Sequence, residues 1–429
     1  MKLKFLAAVI LWLVIFQQTV AQDLRSSFLG LDELMGENSF FDNHLTGFML
    51  YDLDSQLVRY EKNSHIYFIP ASTTKLFTFF GALMVLSDSS TFMRFIPQGN
   101  KATIWGTGDP SWKYPTLPLP AIKAFLSKYD TLYYSESNWK NEPFGYGWQW
   151  DDFNHSYAAE MSPIPLFGNL VSAKNVNNKP ILTPGIFSVS YSDKPVKNVQ
   201  RNWRNNEFYY NPRTYNGRDS KVPYMTSAET FSKLASKEWD IPVKLSNATL
   251  PPDHFILKGI PTKNLYKEML LESDNFIAEQ LLLQISDKLF FELDSEKAIE
   301  YIKKTYLYDL PDDPQWVDGS GLSRHNLFTP RTMVSLAEKI YRLFPDEELF
   351  SLLPTGGRTG TLKFNYSAPK PYVMAKTGTI SNHHSLVGYL KTKNNKIYAF
   401  AFMNNNYPYK ATVVRREMEK VLLYIRDNF

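Results

Sequence analysis

The sequence predicts an α/β (α+β) fold in which helices surround an antiparallel sheet and an inserted, mainly β module interrupts the chain. Three observations carry this. Segments with an apolar face at helical spacing flank the middle of the chain, as in Leu76, Phe77, Phe80 and Leu83. Short β-branched and aromatic runs joined by turn residues stand near both ends, at 46–52 with 57–60 and at 385–390 with 397–403. Between Gly106 and Tyr224 lie twelve of the 26 prolines, with clusters of Asn, Tyr and Trp. Apart from 121–128 that stretch lacks helical periodicity and reads as strands and loops.

Taken in order, the elements begin with an address. Lys2 and Lys4 precede twelve unbroken apolar residues, 5–16, and a small-residue exit at Ala21. A charged start, a short apolar run and such an exit define a secretory signal peptide, here residues 1–21. Twelve residues make about 18 Å of helix, short of a bilayer core roughly 30 Å thick. The first hairpin follows, then a helix over 72–86. Helices are next expected over 265–285, which repeats the apolar spacing with Leu270, Leu271, Ile277, Leu281 and Leu282, and over 298–306, 331–343 and 413–425. No later stretch reads as a transmembrane helix.

Composition excludes several classes. With 47 Lys+Arg against 43 Asp+Glu the net charge is +4, and no run of like charge marks a nucleic-acid partner. The absence of cysteine removes disulfides, thiolate metal sites, a Cys nucleophile and a lipoprotein anchor. There is no H-E-x-x-H, no G-x-S-x-G and no P-loop, and Gly106-Thr107-Gly108 lacks the third glycine of a dinucleotide fingerprint. The seven histidines show no helical metal spacing, and His383 and His384 are adjacent.

Three short motifs do carry chemistry. Ser72-Thr73-Thr74-Lys75 is an S-x-x-K that opens a long apolar helix just after Pro70. Residues three apart share a helix face, and a partly desolvated lysine can lose its proton and activate a serine. S-x-x-K recurs at Ser137–Lys140 and Ser367–Lys370, but neither copy opens a helix: Pro369 lies inside one, and the other runs into Asn141-Glu142-Pro143. Ser273-Asp274-Asn275 is the chain's one Ser-x-Asn and, alone, would be a polar patch on the 265–285 helix or at a break in it. Lys376-Thr377-Gly378, followed by Thr379, would alone be a plain turn before a strand. S-x-x-K, S-D-N and K-T-G in this order are the signature of β-lactamases and penicillin-binding proteins.

The expected mechanics follow. Ser72 attacks a carbonyl, Lys75 serves as general base, and Ser273 relays a proton to the leaving amine. Asn275 orients Lys75 or the substrate amide. Lys376 and Thr377 receive a substrate carboxylate. Gly378 allows close approach of strand to substrate. The backbone N–H groups of Ser72 and Thr379 are the expected oxyanion hole.

With these motifs the chain resembles the class C low-molecular-mass penicillin-binding proteins, D-alanyl-D-alanine carboxypeptidase/endopeptidases of the penicillin-binding protein 4 type. The resemblance covers most of residues 40–405. Besides the three motifs it rests on Pro70-Ala71-Ser72, Gly106-Thr107-Gly108-Asp109-Pro110, GYGWQWDD from Gly145, ESDNFIAE from Glu272, DGSGLSR from Asp318, and AKTGT from Ala375 with Gly388-Tyr389. It implies a serine β-lactamase/transpeptidase-like domain in two parts, 22–95 and 226–429, split by a module at 96–225. The 197 residues between Lys75 and Ser273 leave room for that insert. DGSGLSR is not read as the second serine motif, because Ser323 is followed by His325 at the asparagine position; that loop is expected to shape the cleft or the domain packing.

The resemblance further implies an exported, periplasmic enzyme that removes the terminal D-alanine from peptidoglycan stem peptides, with cleavage of D-alanyl cross-links as a second activity. β-Lactam antibiotics would acylate it, and no metal or organic cofactor is expected. Two rivals are a serine β-lactamase, for which no Glu stands out as a deacylating base, and a non-catalytic peptidoglycan-binding protein, against which the intact motif residues speak.

Overall fold

The computed structural model describes residues 28–429; the expected signal peptide lies outside the described residues. The chain forms two compact units. One comprises the residues up to Pro70, Pro311–Pro314 and Leu327–Phe429; the other comprises Ala71–Leu310 and Gln315–Asn326. Among the described residues no helix is long and apolar enough to cross a membrane.

The first unit is built on a five-stranded antiparallel sheet. Its early hairpin is β1 (Leu45–Asp52) and β2 (Leu57–Lys62). The last three strands of the chain pair back onto β1: in space, Val373–Ile380 lies beside His383–Lys391, then Ile397–Asn405, then β1 and β2. Each residue of Ile397–Asn405 is buried, so both faces of the sheet are covered. Tyr398, Phe400 and Phe402 alternate onto one face and join Val414, Met418, Leu422 and Ile425 of the C-terminal helix Ala411–Asn428 in a single apolar cluster. Toward the helix Pro330–Tyr341, the Tyr389 hydroxyl donates to the Ala337 carbonyl at 2.7 Å. That helix starts where Thr329 accepts the Thr332 N–H ahead of a proline, a favoured N-terminus.

The second unit contains the helices Lys75–Val85, Thr262–Leu271, Asn275–Phe290 and Ser295–Tyr306. The first of these is apolar apart from Lys75 and Thr78, and residues 75–82 are all buried. It approaches Ser295–Tyr306 closely: a Cβ on Gly81 would stand 2.4 Å from Ile302 Cδ1. The unit also carries a mixed five-stranded sheet built on β3 (Ser89–Gln98), β4 (Lys101–Gly106) and β5 (Thr131–Ser135). Val243–Leu245 flanks β5 in parallel and Phe255–Pro261 flanks β3 antiparallel. Two three-stranded sheets lie within 170–223.

The strands expected in the Pro-rich stretch are present, and 121–128 holds a single helical turn, Lys123–Leu126. The helix Ala228–Trp239, capped where Ser227 accepts the Thr230 N–H, escaped sequence reading, as did the short Asp346–Leu352. A buried ion pair joins sheet to helix. Arg94 on β3 grips Asp287 of Asn275–Phe290, with Nε to Oδ1 and Nη2 to Oδ2 both at 2.8 Å.

Candidate active site

The Ser72 turn is short and tense. Ala71–Thr74 forms a 3₁₀ turn that runs straight into Lys75–Val85. Ala71 has a φ of +49°, in the left-handed region that side-chain-bearing residues seldom enter. Gly321 of the DGSGLSR loop presses on this turn at a φ of +79°, and a Cβ there would lie 1.9 Å from the Ala71 carbonyl oxygen. Glycine alone can occupy that position.

Lys75 is wholly buried, whereas Ser72 is half-buried. The lysine Nζ has three oxygen neighbours: Ser72 Oγ at 2.9 Å, Asn275 Oδ1 at 2.7 Å and the Ser320 carbonyl at 2.7 Å. Two of these oxygens can only accept. The Ser320 carbonyl has no proton to give, and the Asn275 amide is oriented because its Nδ2 donates to the Tyr157 carbonyl at 2.9 Å. A neutral amine has two N–H bonds and one lone pair. As an ammonium Lys75 donates to all three oxygens; once it loses a proton, with its two N–H bonds on Asn275 and Ser320, its lone pair is left for the Ser72 hydroxyl, a geometry open to general-base chemistry.

Electrostatics ease the loss of the Lys75 proton. Burial pushes the Lys75 ammonium down to about 8, against the opposing pull of Glu279, Asp318 and Asp274. The first two carboxylates are also fully buried, and each ties down the DGSGLSR loop. Glu279 accepts from Gly319 N at 2.9 Å and Ser320 N at 2.8 Å. Asp318 accepts from Gly321 N at 2.8 Å, Ser323 N at 2.7 Å and Trp148 Nε1 at 3.0 Å. Burial, with Asp318 adding repulsion, pushes the Glu279 carboxyl up to about 8, and burial raises Asp318 as well.

The second motif sits at a break, the alternative that sequence reading left open. Thr262–Leu271 ends, and Asn275–Phe290 begins after Asp274 caps it by accepting the Ile277 N–H at 2.9 Å. Ser273 holds the turn at a φ of +60°, and backbone strain of this kind gathers at functional sites. The turn is braced from the Pro-rich stretch: the Tyr114 hydroxyl donates to Asp274 Oδ2, and its ring stacks on Phe276. The Gly106–Pro110 segment is structural. Asp109 is buried among the Ser90 and Ser111 hydroxyls, and the Gly108 carbonyl accepts from Gln280 Nε2 at 2.8 Å.

The third motif belongs to the other unit. Lys376 to Thr379 lie on the sheet-edge strand Val373–Ile380. Lys376 is wholly buried, and its Nζ donates to the Thr377 carbonyl at 2.8 Å. Thr377 Oγ1 is 2.7 Å from Thr361 Oγ1. Gly378 pairs with Ser385 in the neighbouring strand, and exposed Thr379 hydrogen-bonds His384 Nδ1 at 2.8 Å.

The structure thus gathers Ser72, Lys75 and Asn275, with Ser273 in the same turn as Asn275. Sequence reading missed Glu279, the Asp318 carboxylate, the Ser320 carbonyl and the Tyr157 carbonyl. Each lay in or near a string that carries the family resemblance, but none had a signal beyond that membership. Among the described residues no group of three or more His, Asp or Glu is placed to hold a metal ion.

Helices around an antiparallel sheet, with S-x-x-K, S-D-N and K-T-G in order, define the penicillin-binding class of serine enzymes. The chain belongs to the D-Ala-D-Ala carboxypeptidase 3 (S13) family, which it matches over residues 30–202 and 233–426. It is 24% identical over 436 residues to the penicillin-sensitive carboxypeptidase A of Dictyostelium discoideum, covering 83% of this chain and 82% of that one. It is 22% identical over 414 residues to the D-alanyl-D-alanine carboxypeptidase DacB of Haemophilus influenzae, covering 84% and 85%. The crystal structure of penicillin binding protein 4 (dacB) from Haemophilus influenzae superposes with a TM-score of 0.73 at 20% identity, over 93% of this chain and 99% of that one. The expected resemblance to penicillin-binding proteins of the type 4 class, and the expected fold, are borne out.

Proposed function

We propose that the protein is a serine D,D-peptidase of peptidoglycan stem peptides that works through an acyl-enzyme on Ser72. The observation that carries this is the buried Lys75 amine, whose two accept-only partners leave its lone pair for Ser72. Ser72 Oγ attacks the carbonyl carbon of the penultimate D-alanine while Lys75 takes the hydroxyl proton. The tetrahedral intermediate collapses, the C–N bond breaks, and the departing D-alanine nitrogen receives a proton by way of Ser273. Water then hydrolyses the ester and restores Ser72. Asn275 holds Lys75 in its orientation throughout. Lys376, Thr377, Gly378 and Thr379 take up the substrate, and the N–H groups of Ser72 and Thr379 stabilise the oxyanion.

The same acylation makes the protein a target of β-lactams and extends to D-alanyl cross-links. The 1–21 segment supports export to the periplasm, and residues 96–225 are read as a module inserted into the transpeptidase-like domain. Intact-protein mass spectrometry after incubation with benzylpenicillin tests the reading. A stable adduct on the wild type and none on Ser72→Ala is expected, with D-alanine released from pentapeptide substrates. Loss of the antibiotic without an adduct would point to a β-lactamase instead, and neither adduct nor turnover would leave a non-catalytic protein.

A further inference from the structure

Two tryptophans stand on the surface of the second unit. Trp150 is 71% exposed and Trp203 is 51% exposed, although burying so large a ring is among the strongest gains folding offers. Their ring centroids lie 6.3 Å apart at an interplanar angle of 82°, and the Trp203 ring also meets Phe153 edge-on at 5.1 Å. A contiguous exposed patch of this kind marks a place where something binds.

The patch is held stiff. Trp150 and Phe153 belong to the 3₁₀ turn Trp150–Asn154, and Trp203 to the loop between the strands Gln200–Arg201 and Phe208–Tyr210. Asn154 clamps turn to loop: its Oδ1 accepts the Arg201 N–H at 2.7 Å, and its Nδ2 donates to the Arg201 carbonyl at 3.4 Å. The buried Arg201 guanidinium in turn lies over the Phe153 ring, 5.3 Å from its centroid. Rings fixed beforehand lose little freedom when a ligand arrives.

Composition and place say what lands there. Between 145 and 157, apart from glycine, only aromatic and polar residues occur, and 201–207 likewise holds no aliphatic side chain. The rings therefore lack the apolar surround that fills the core of a protein–protein interface. Carboxylates and amides adjoin them in the chain instead, with Gln149, Asp151 and Asn205 exposed. The electron-rich face of an aromatic ring attracts the positive edge of C–H bonds, and amides and carboxylates hydrogen-bond hydroxyls. A sugar ring offers both, C–H bonds on its faces and hydroxyls around its rim. The patch is also continuous with the candidate active site: the Tyr157 hydroxyl donates to Asp152 Oδ1 of the same turn at 2.7 Å, while the Tyr157 carbonyl holds the Asn275 amide.

We propose that Trp150 and Trp203, backed by Phe153, form a saccharide-binding ledge that stacks a sugar ring of the glycan strand to which the stem peptide is attached. The sugar class rests on the ledge itself; its placement on the peptidoglycan strand rests on the D,D-peptidase reading above.

The first test needs no catalysis. The wild-type protein is titrated by calorimetry with tetra-N-acetylchitotetraose, a peptide-free β-1,4-linked amino-sugar probe. Saturable binding is expected, weakened about 3- to 10-fold by Trp203→Ala or by Trp150→Ala, the scale of one lost ring contact. Trp203→Phe, which keeps a ring, should bind more tightly than Trp203→Ala. A wild type that ignores the probe would overturn the proposal and hand the ledge to a protein partner. Alanine variants that bind as well as wild type would overturn it too. Should circular dichroism show Trp203→Ala unfolded, Trp150→Ala on the separate turn decides alone. The second test compares pentapeptides attached to glycan strands with the free pentapeptide. The ratio of the two kcat/KM values should fall by a similar factor in the alanine variants, chiefly through KM, and an unchanged ratio would overturn the glycan assignment. A wild type that binds the probe yet cleaves neither substrate would defeat the peptidase reading and leave the saccharide ledge standing.

Discussion

Lys75 and Arg415 are both cations drawn out of water, one in each unit, and their surroundings differ in kind. Lys75 is fully buried with Glu279, Asp318 and Asp274 in electrostatic reach, yet burial outweighs them and its proton is held loosely. Arg415 is half-buried and faces a neutral imidazole and hydroxyls. A lysine can surrender its proton, whereas an arginine cannot. One unit therefore holds a cation that titrates, with carboxylates moderating how far burial goes. The other holds a permanent charge, with the Glu419 carboxylate one helical turn away engaged by backbone N–H groups. The residue types set the difference, since a lysine can exchange its proton with a neighbour and an arginine keeps a fixed charge.

Replacing the titratable member should break that contrast most severely. Lys75→Met is expected to slow acylation by benzylpenicillin about 1000-fold, within the range of a lost general base; stopped-flow or quenched mass spectrometry within tenfold of wild type would refute the assignment. Gly321→Ala attacks the frame around Lys75 instead. Its Cβ has no room beside the Ala71 carbonyl, so urea unfolding should show a loss of about 3 kcal/mol, at the severe end of single substitutions. The pH profile sharpens the contrast further. The reactive amine is the neutral one and its proton affinity is lowered to about 8, so acylation should rise with pH through about 8 and fall tenfold per unit well below it. Glu279 favours the ammonium, so Glu279→Gln should move that midpoint down, by up to about one unit; an upward move would contradict the charge logic. The smallest effect is expected from Tyr114→Phe, which removes the brace on Asp274 at a cost of about 1 kcal/mol, read as a few degrees in Tm.

The helix after Ser72 and the final strands were legible because their signals are local: an apolar run after Pro70, and alternation in 397–403. The Ser72–Lys75 contact was legible for the same reason, since three residues on one helix face need no tertiary knowledge. The break at Ser273 was half-legible, because Asp274 is a good capping residue within an otherwise continuous apolar pattern. Other parts depend on distant pairings. Asn275 takes its orientation from a backbone carbonyl 118 residues away, and a carbonyl has no sequence signature. Glu279 looks like any acidic residue on a helix until its loop partners are known. Arg415 falls within the expected 413–425 helix, and nothing in that pattern links it to Thr379. Ala228–Trp239 was missed although Phe231, Leu234, Ala235 and Trp239 do recur at helical spacing.

The Tyr157 carbonyl has a consequence for anyone wishing to trim this chain. A miniature that skipped from Gly106 to Tyr224 would keep Ser72, Lys75, Ser273 and Asn275, and on paper would look complete. It would also discard the Tyr157 carbonyl, which tells the Asn275 amide which way round to sit, and the Tyr114 brace beside it. With the amide turned over, an N–H₂ group would face Lys75, and the lone pair meant for Ser72 would have a competing donor. The Pro-rich stretch is thus no detachable accessory to this cluster: part of the amide's aim at Lys75 is written there, and shortening the protein would blunt it before any motif side chain was touched.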